Sequence, residues 1–141
     1  MASAQRTIEI NATPLQCYKV ITDFVNYPKF VSGSKAVKIL EKKGDVWKIE
    51  QTVSMIKEIS FTLEMTGVPG KSLTWKLIKG YMKKNDGSWL LEAVGKGKTR
   101  ATYTLDLDLG AFVPKAIINK LAETSFPKML QEFKDRIEAA K

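Results

Sequence analysis

Among the side chains that commonly carry catalysis, this 141-residue chain has no histidine and one cysteine, Cys17. Without His it has no usual general base, lacks the commonest metal ligand and cannot complete a hydrolase triad. A lone thiol excludes cysteine metal clusters, and Cys17 falls where a small apolar residue would serve as well, so neither a metal nor a cofactor is expected. Gly95-Lys96-Gly97-Lys98 lies between two strand-like segments, so a hairpin turn accounts for it better than a phosphate loop. Any chemistry has to come from carboxylates, Tyr, Lys or Arg. The residues placed for it are Gln51, Tyr103 and Tyr81, with Glu50 and Arg100 nearby. Gln51 either hydrogen-bonds a ligand head group or bound water, or reaches solvent at a strand edge. Tyr103 reads as a core aromatic with its hydroxyl at the rim. Tyr81, beside Gly80, lines an entrance or covers a turn. No catalytic residue is nominated.

The elements that hold these residues can be read from period and turn chemistry. Residues 5–11 alternate, with Ile8 and Ile10 on one face, as a first strand. Thr13 then caps a helix opened by Pro14, which loses no bond at the first helical position and carries Leu15, Tyr18, Val20 and Ile21. Pro28 limits Asp23 to Phe30 to a short second helix. From Lys35 to Leu109 the pattern is strands and tight turns. One face collects Val37 and Ile39, then Trp47, Ile49, Gln51, Val53 and Met55, then Ile59, Phe61, Leu63 and Met65. Leu73, Trp75 and Leu77 follow. Lys43-Gly44-Asp45, Val68-Pro69-Gly70-Lys71 and Asn85-Asp86-Gly87 read as reversals, because Asn, Asp and Gly tolerate positive φ. Trp89, Leu91 and Ala93 lead to the clearest strand, with Ala101, Tyr103, Leu105, Leu107 and Leu109 on one side.

Residues 114–141 read as one long helix. At 100° per residue, Ile118, Leu121, Ala122, Phe126, Met129, Leu130, Phe133 and Ile137 share about half its circumference. Pro127 lies in the middle, where it removes a hydrogen bond and crowds the carbonyl of Glu123, at roughly 3 kcal/mol. The apolar phase continues across it, which predicts a kink and a concave side. The class is α+β: a curved antiparallel sheet of about seven strands wrapped around a long C-terminal helix, with two short helices after the first strand.

The length suits one domain, spanning 1–141, able to bury around two-thirds of its unfolded surface. The opening residues lack the apolar centre of a signal peptide, no run reaches the ~20 apolar residues of a membrane span, and the single cysteine suits a reducing compartment, so a cytoplasmic location is expected. The net charge of +8 arises from 23 Lys and Arg against 15 Asp and Glu. It attracts anionic membranes, RNA and acidic proteins. With the lysines scattered and no aromatic-interleaved basic platform, specific DNA binding is not expected. The inward side chains are large and adaptable, and equally suit a packed core or an apolar pocket of ~300–1,000 Å³.

Ordered motifs go further. Val20-Ile21-Thr22-Asp23-Phe24-Val25-Asn26-Tyr27-Pro28-Lys29-Phe30, after the Pro14-led helix, resembles the signature of polyketide cyclase and coenzyme-Q-binding proteins in the START-related (SRPBCC) helix-grip superfamily. Gly87-Ser88-Trp89 and Lys98-Thr99-Arg100-Ala101-Thr102-Tyr103 resemble its paired late strands. Val113 to Lys120 and Ser125 to Leu130 are similar to the START terminal helix. The resemblance implies a deep cavity between sheet and terminal helix, holding an apolar small molecule such as a lipid, quinone or polyketide. Its expected wall is Phe24, Tyr27, Phe30, Trp47, Gln51, Phe61 and Met65, then Trp75, Tyr81, Trp89, Tyr103, Leu121, Phe126 and Met129. Some members of the superfamily are cyclases or aromatases, and a toxin branch associates with ribosomes; both are alternatives to non-catalytic binding. The basic surface would favour peripheral contact with anionic membranes.

Overall fold

Seven strands form one antiparallel sheet in the order β1-β7-β6-β5-β4-β3-β2 in a computed structural model of the chain. It describes residues 2–54, 58–80, 82–110 and 113–141, and the side chains of all of these except Ala2, Ser3, Leu121 and Ala122. The strands are β1 (Ala2–Ile10), β2 (Ser34–Lys43), β3 (Val46–Ser54), β4 (Glu58–Val68), β5 (Ser72–Lys79), β6 (Lys84–Gly95) and β7 (Lys98–Asp108). Helix α1 (Pro14–Ile21) and a 3-10 helix (Phe24–Lys29) follow β1. The chain ends in α2 (Lys115–Lys120), a π turn (Leu121–Ser125) and α3 (Phe126–Ala140). Among the described residues no helix is long and apolar enough to cross a membrane.

Thr13 caps α1 as its sequence position suggests: its hydroxyl accepts from Gln16 N, and the Gln16 side chain accepts from Thr13 N at 2.8 Å. Leu15 is half exposed; Cys17, Tyr18 and Ile21 are the buried residues of α1. Two hydrogen bonds anchor this corner. Buried Thr99 donates to Ala12 O at 2.7 Å, and Tyr18 donates to Asp45 Oδ1 at 2.9 Å. Tyr18 reaches that turn by crossing Gly67, where a Cβ would stand 2.0 Å from its hydroxyl oxygen.

The alternation expected for β4 and β7 holds: Ile59, Phe61, Leu63 and Met65 are buried, as are Ala101, Tyr103, Leu105, Leu107 and Leu109. In β2 it fails beyond Val37. A register shift between Ile39 and Glu41 breaks the period, and both Ile39 and Leu40 are exposed.

Two expectations need correcting. Asn85-Asp86-Gly87 is not a reversal; β6 runs straight through it, pairing Asn85 with Leu107 and Gly87 with Leu105. The positive-φ glycines among the described residues are Gly44, Gly70, Gly97 and Gly110, and three of these serve the turns after β2, β4 and β6. The terminal helix is not uniformly α-helical either. Pro127 falls in the first turn of α3, and the π turn stands directly before it, so the missing N–H and crowded carbonyl are absorbed by widening one turn. Beyond it Phe126, Leu130, Phe133 and Ile137 are buried on one stripe, while α2 buries none of its residues.

Candidate functional site

The space under α3 is packed at one end and open at the other. Ile10, Cys17, Ile21, Ile49, Leu73 and Ile137 are all under 2% exposed and mark the packed part, to which α1 contributes Cys17 and Ile21. At the other end lies a cavity of about 440 Å³, within the size range of small-molecule sites. Its floor is the inner face of β3 to β7, from Gln51 and Val53 across Phe61, Leu63 and Met65 to Leu105 and Leu107. Phe126, Met129 and Phe133 of α3 form its roof.

The floor is low because of one contact. Trp75 and Gly87 are directly paired across β5 and β6, so the indole projects on the face where a side chain at position 87 would stand. The indole lies over the glycine so closely that a Cβ there would be 2.5 Å from Trp75 Cζ2. A ring held this close to the backbone of β6 takes up less of the space above it. The indole N–H donates to Asn85 Oδ1 at 3.3 Å, which pins the ring in that position. Asn85 is buried and also lines the cavity.

An arc of aromatic rings continues from Trp75. Its ring centroid is 5.6 Å from that of Tyr103, Tyr103 is 5.0 Å from Trp89, and Trp89 is 5.3 Å from Phe133. Phe133 meets Tyr27 edge-on at 5.2 Å. Such edge-on and tilted arrangements are the favoured ones for aromatic pairs and hold the rings of the wall in place. Burial holds the hydroxyls of Tyr27 and Tyr103 well above the ordinary tyrosine range, so both remain protonated at neutral pH. Tyr27 donates to Ile21 O, whereas the Tyr103 hydroxyl has no hydrogen-bond partner among the described residues.

The mouth is framed by the loop after the 3-10 helix and by α3. Glu132 reaches from α3 to accept from both the backbone N–H and the hydroxyl of Ser32. Lys35 and Lys128 stand at the same rim, and buried Ser34 lines the cavity with a hydroxyl that has no partner. Glu132 is the carboxylate among the described lining residues; the floor is uncharged.

Residues 10–134 match the model of the family described as polyketide cyclase/dehydrase and lipid transport. The chain belongs to that family. Its curated relatives include the ribosome association toxin RatA of Escherichia coli strain K12, 25% identical over 133 residues, covering 94% of this chain and 79% of RatA. Among solved structures, a START superfamily protein from Mycobacterium smegmatis superposes with a TM-score of 0.87 at 18% identity, covering 100% of both chains. The Zhui aromatase/cyclase from Streptomyces sp. R1128 superposes with a TM-score of 0.84 at 14% identity, covering 96% of this chain and 93% of the other. These two likenesses establish the START-type helix-grip fold.

In this polyketide cyclase and lipid-transport family member, nine of the residues expected in the wall line the cavity: Tyr27, Gln51, Phe61, Met65, Trp75, Trp89, Tyr103, Phe126 and Met129. Three do not. Phe24 is fully buried between Tyr27 and Trp47, Trp47 packs on Phe24 at 5.2 Å, and Phe30 lies against Phe133 at 5.1 Å with the Arg136 guanidinium over its ring. Phe24 and Trp47 belong to the packed core beside the cavity, and partly buried Phe30 packs against it. Tyr81, Met55 and the side chain of Leu121 fall outside the described residues. Sequence reasoning missed Asn85, Ser34 and Glu132. Asn85 was within reach: counting back in twos from Trp89 through Gly87 puts it on the inner face. Ser34 and Glu132 carry no comparable signal, because a polar residue at a strand start or helix flank is ordinarily solvated.

Proposed function

We propose that residues 1–141 act as one ligand-binding domain that holds an apolar small molecule, such as a lipid, quinone or polyketide, under α3 without transforming it. One observation carries this reading: the cavity of about 440 Å³ has aromatic walls and a floor whose polar groups are neutral amides and protonated phenols. A cyclase needs a group that takes a proton within hydrogen-bond reach of the substrate. Tyr27 and Tyr103 are held too high to serve as bases, and Glu132 sits at the mouth, already accepting two hydrogen bonds from Ser32. The family description joins cyclisation to lipid transport, and the binding half of that pair requires no proton-transfer group. The test is native mass spectrometry of delipidated protein after incubation with a cell extract. A discrete small-molecule adduct, lost when Trp75 or Phe126 is replaced by Ala, is the expected result; no adduct in the wild type overturns the reading.

A second reading, ribosome association, is favoured by the similarity to RatA over 94% of this chain and by the net charge of +8. Cosedimentation with ribosomes that persists at moderate salt supports it. Loss on slight salt addition marks non-specific attraction to RNA phosphates, or to anionic surfaces in general, which the charge alone predicts.

A further inference from the structure

Given that the cavity binds a small molecule, we infer that Asn85 selects the ligand, and that it selects a neutral molecule whose inner polar group is a carbonyl-type hydrogen-bond acceptor. The indole N–H of Trp75 is a donor with no acceptor capacity, so the Asn85 atom 3.3 Å from it must be the amide oxygen. That fixes the other end of the amide. The NH2 of Asn85, on a residue 8% exposed that lines the cavity, has no hydrogen-bond partner among the described residues. The Tyr103 hydroxyl, on a residue 7% exposed, likewise has a proton to donate and no partner. The Gln51 amide carries both donor and acceptor and does not discriminate.

Asn85 and Tyr103 therefore offer protons to whatever lies on the floor, and the unpartnered hydroxyl of buried Ser34 adds a third donor from the start of β2. A purely apolar ligand end leaves the Asn85 NH2 desolvated and unpaired. A carboxylate end places a charge where no cation stands, since the lysines that line the cavity, Lys35 and Lys128, are exposed at its rim. An ammonium has only donors to set against these donors and buries a charge besides. A ketone, ester or quinone-type carbonyl satisfies the amide at no cost in charge burial, and its conjugated framework suits the edge-on rings of Tyr103 and Trp89.

The test compares two isosteric probes, acetylnaphthalene and isopropenylnaphthalene, which differ in replacing C=O by C=CH2. Isothermal titration of the wild-type protein should give about tenfold tighter binding of the ketone, the size of one net hydrogen bond to a buried donor. In 15N-correlated NMR spectra, the side-chain NH2 signals of Asn85 should move downfield with the ketone and stay in place with the alkene. Asn85→Leu should bring the ratio to about one by weakening the ketone alone. A wild-type ratio within twofold of one, or a ratio that survives Asn85→Leu, overturns the inference. If Asn85→Leu fails to fold, the wild-type ratio and the NH2 shift decide the matter between them. If neither probe binds while an extract ligand does, the carbonyl preference is wrong and the binding reading stands. If nothing binds, the binding reading falls first.

Discussion

Replacing Gly87 by Ala should couple the stability of this protein to its ligand capacity through a single ring. The added Cβ would stand 2.5 Å from Trp75 Cζ2, 2.7 Å from Trp75 Cε2 and 2.5 Å from the backbone oxygen of Thr104, against an ordinary contact of at least 3.4 Å. The indole must therefore withdraw by about 0.9 Å, and the open direction is upward into the cavity. Its hydrogen bond to Asn85 is already 3.3 Å long, so a displacement of that size breaks it. Thr104 belongs to the β7 backbone and yields less easily. Overpacking costs about 1–3 kcal/mol and the lost hydrogen bond about 1 more, while Ala at a position without positive φ recovers some 0.4–1 through the unfolded chain. The net destabilisation is about 1–3 kcal/mol, or on the order of 5–10 °C in Tm for a chain of this size.

Urea unfolding gives the stability, and titration with acetylnaphthalene gives the capacity, which should fall at least tenfold. The decisive measurement is a double-mutant cycle with Trp75→Phe, which trims the ring atoms that the new Cβ meets. If the clash is the cause, Gly87→Ala costs less in the Trp75→Phe background than in the wild type, with a coupling of about 1 kcal/mol or more. A Gly87→Ala protein with the wild-type midpoint, or one whose loss is unchanged by Trp75→Phe, refutes the idea that this glycine keeps the indole down.

Glu132→Ala removes the strap between α3 and Ser32; hydrogen exchange at the Ser32 amide should accelerate and ligand exchange should quicken, with stability lowered by no more than about 1 kcal/mol at this half-exposed site. Pro127→Ala restores an N–H that can bond to the Glu123 carbonyl, so the π turn should tighten toward α-helix; ligand uptake should change more than the unfolding midpoint, and unchanged uptake would reduce the turn to an accommodation to the sheet. Cys17, Tyr27 and Tyr103 all have pKa values raised by burial, from ordinary values of 9.0 for the thiol and 10.0 for the phenols. The folded state disfavours their ionised forms, so their contribution is complete below those values and declines as pH rises above about 9. Urea midpoints should therefore be flat with respect to these groups from pH 6 to 8 and fall above it, and a midpoint that rises above pH 9 would contradict the assignment.

How much of this could be read from sequence depends on which axis of the sheet is in question. Alternation reports the face a strand residue points to, and it did so for the apolar residues of β4 and β7, because one face is buried along each strand; Thr62, on the other face of β4, is buried as well. Alternation is silent on position along the strand. Trp47 and Trp75 are both inward and both buried, yet one is core and the other is cavity floor. The difference comes from what lies above each. Trp47 is covered by Phe24 and borders Gly67, over which Tyr18 of α1 reaches to Asp45, whereas Trp75 is pressed down on Gly87. Those partners lie far off in the chain, which no local pattern encodes. The same ambiguity explains Asn85-Asp86-Gly87. A glycine needed for positive φ and a glycine needed for the absence of a Cβ are identical in the sequence, and the flanking Asn and Asp favoured the first meaning. Gly87 has the second meaning, and so Asn85, given up to a turn by the local signal, becomes a buried amide on the cavity floor. A glycine followed two residues on by an inward Trp, with another Trp on the neighbouring strand, is better read as room for a ring than as a bend.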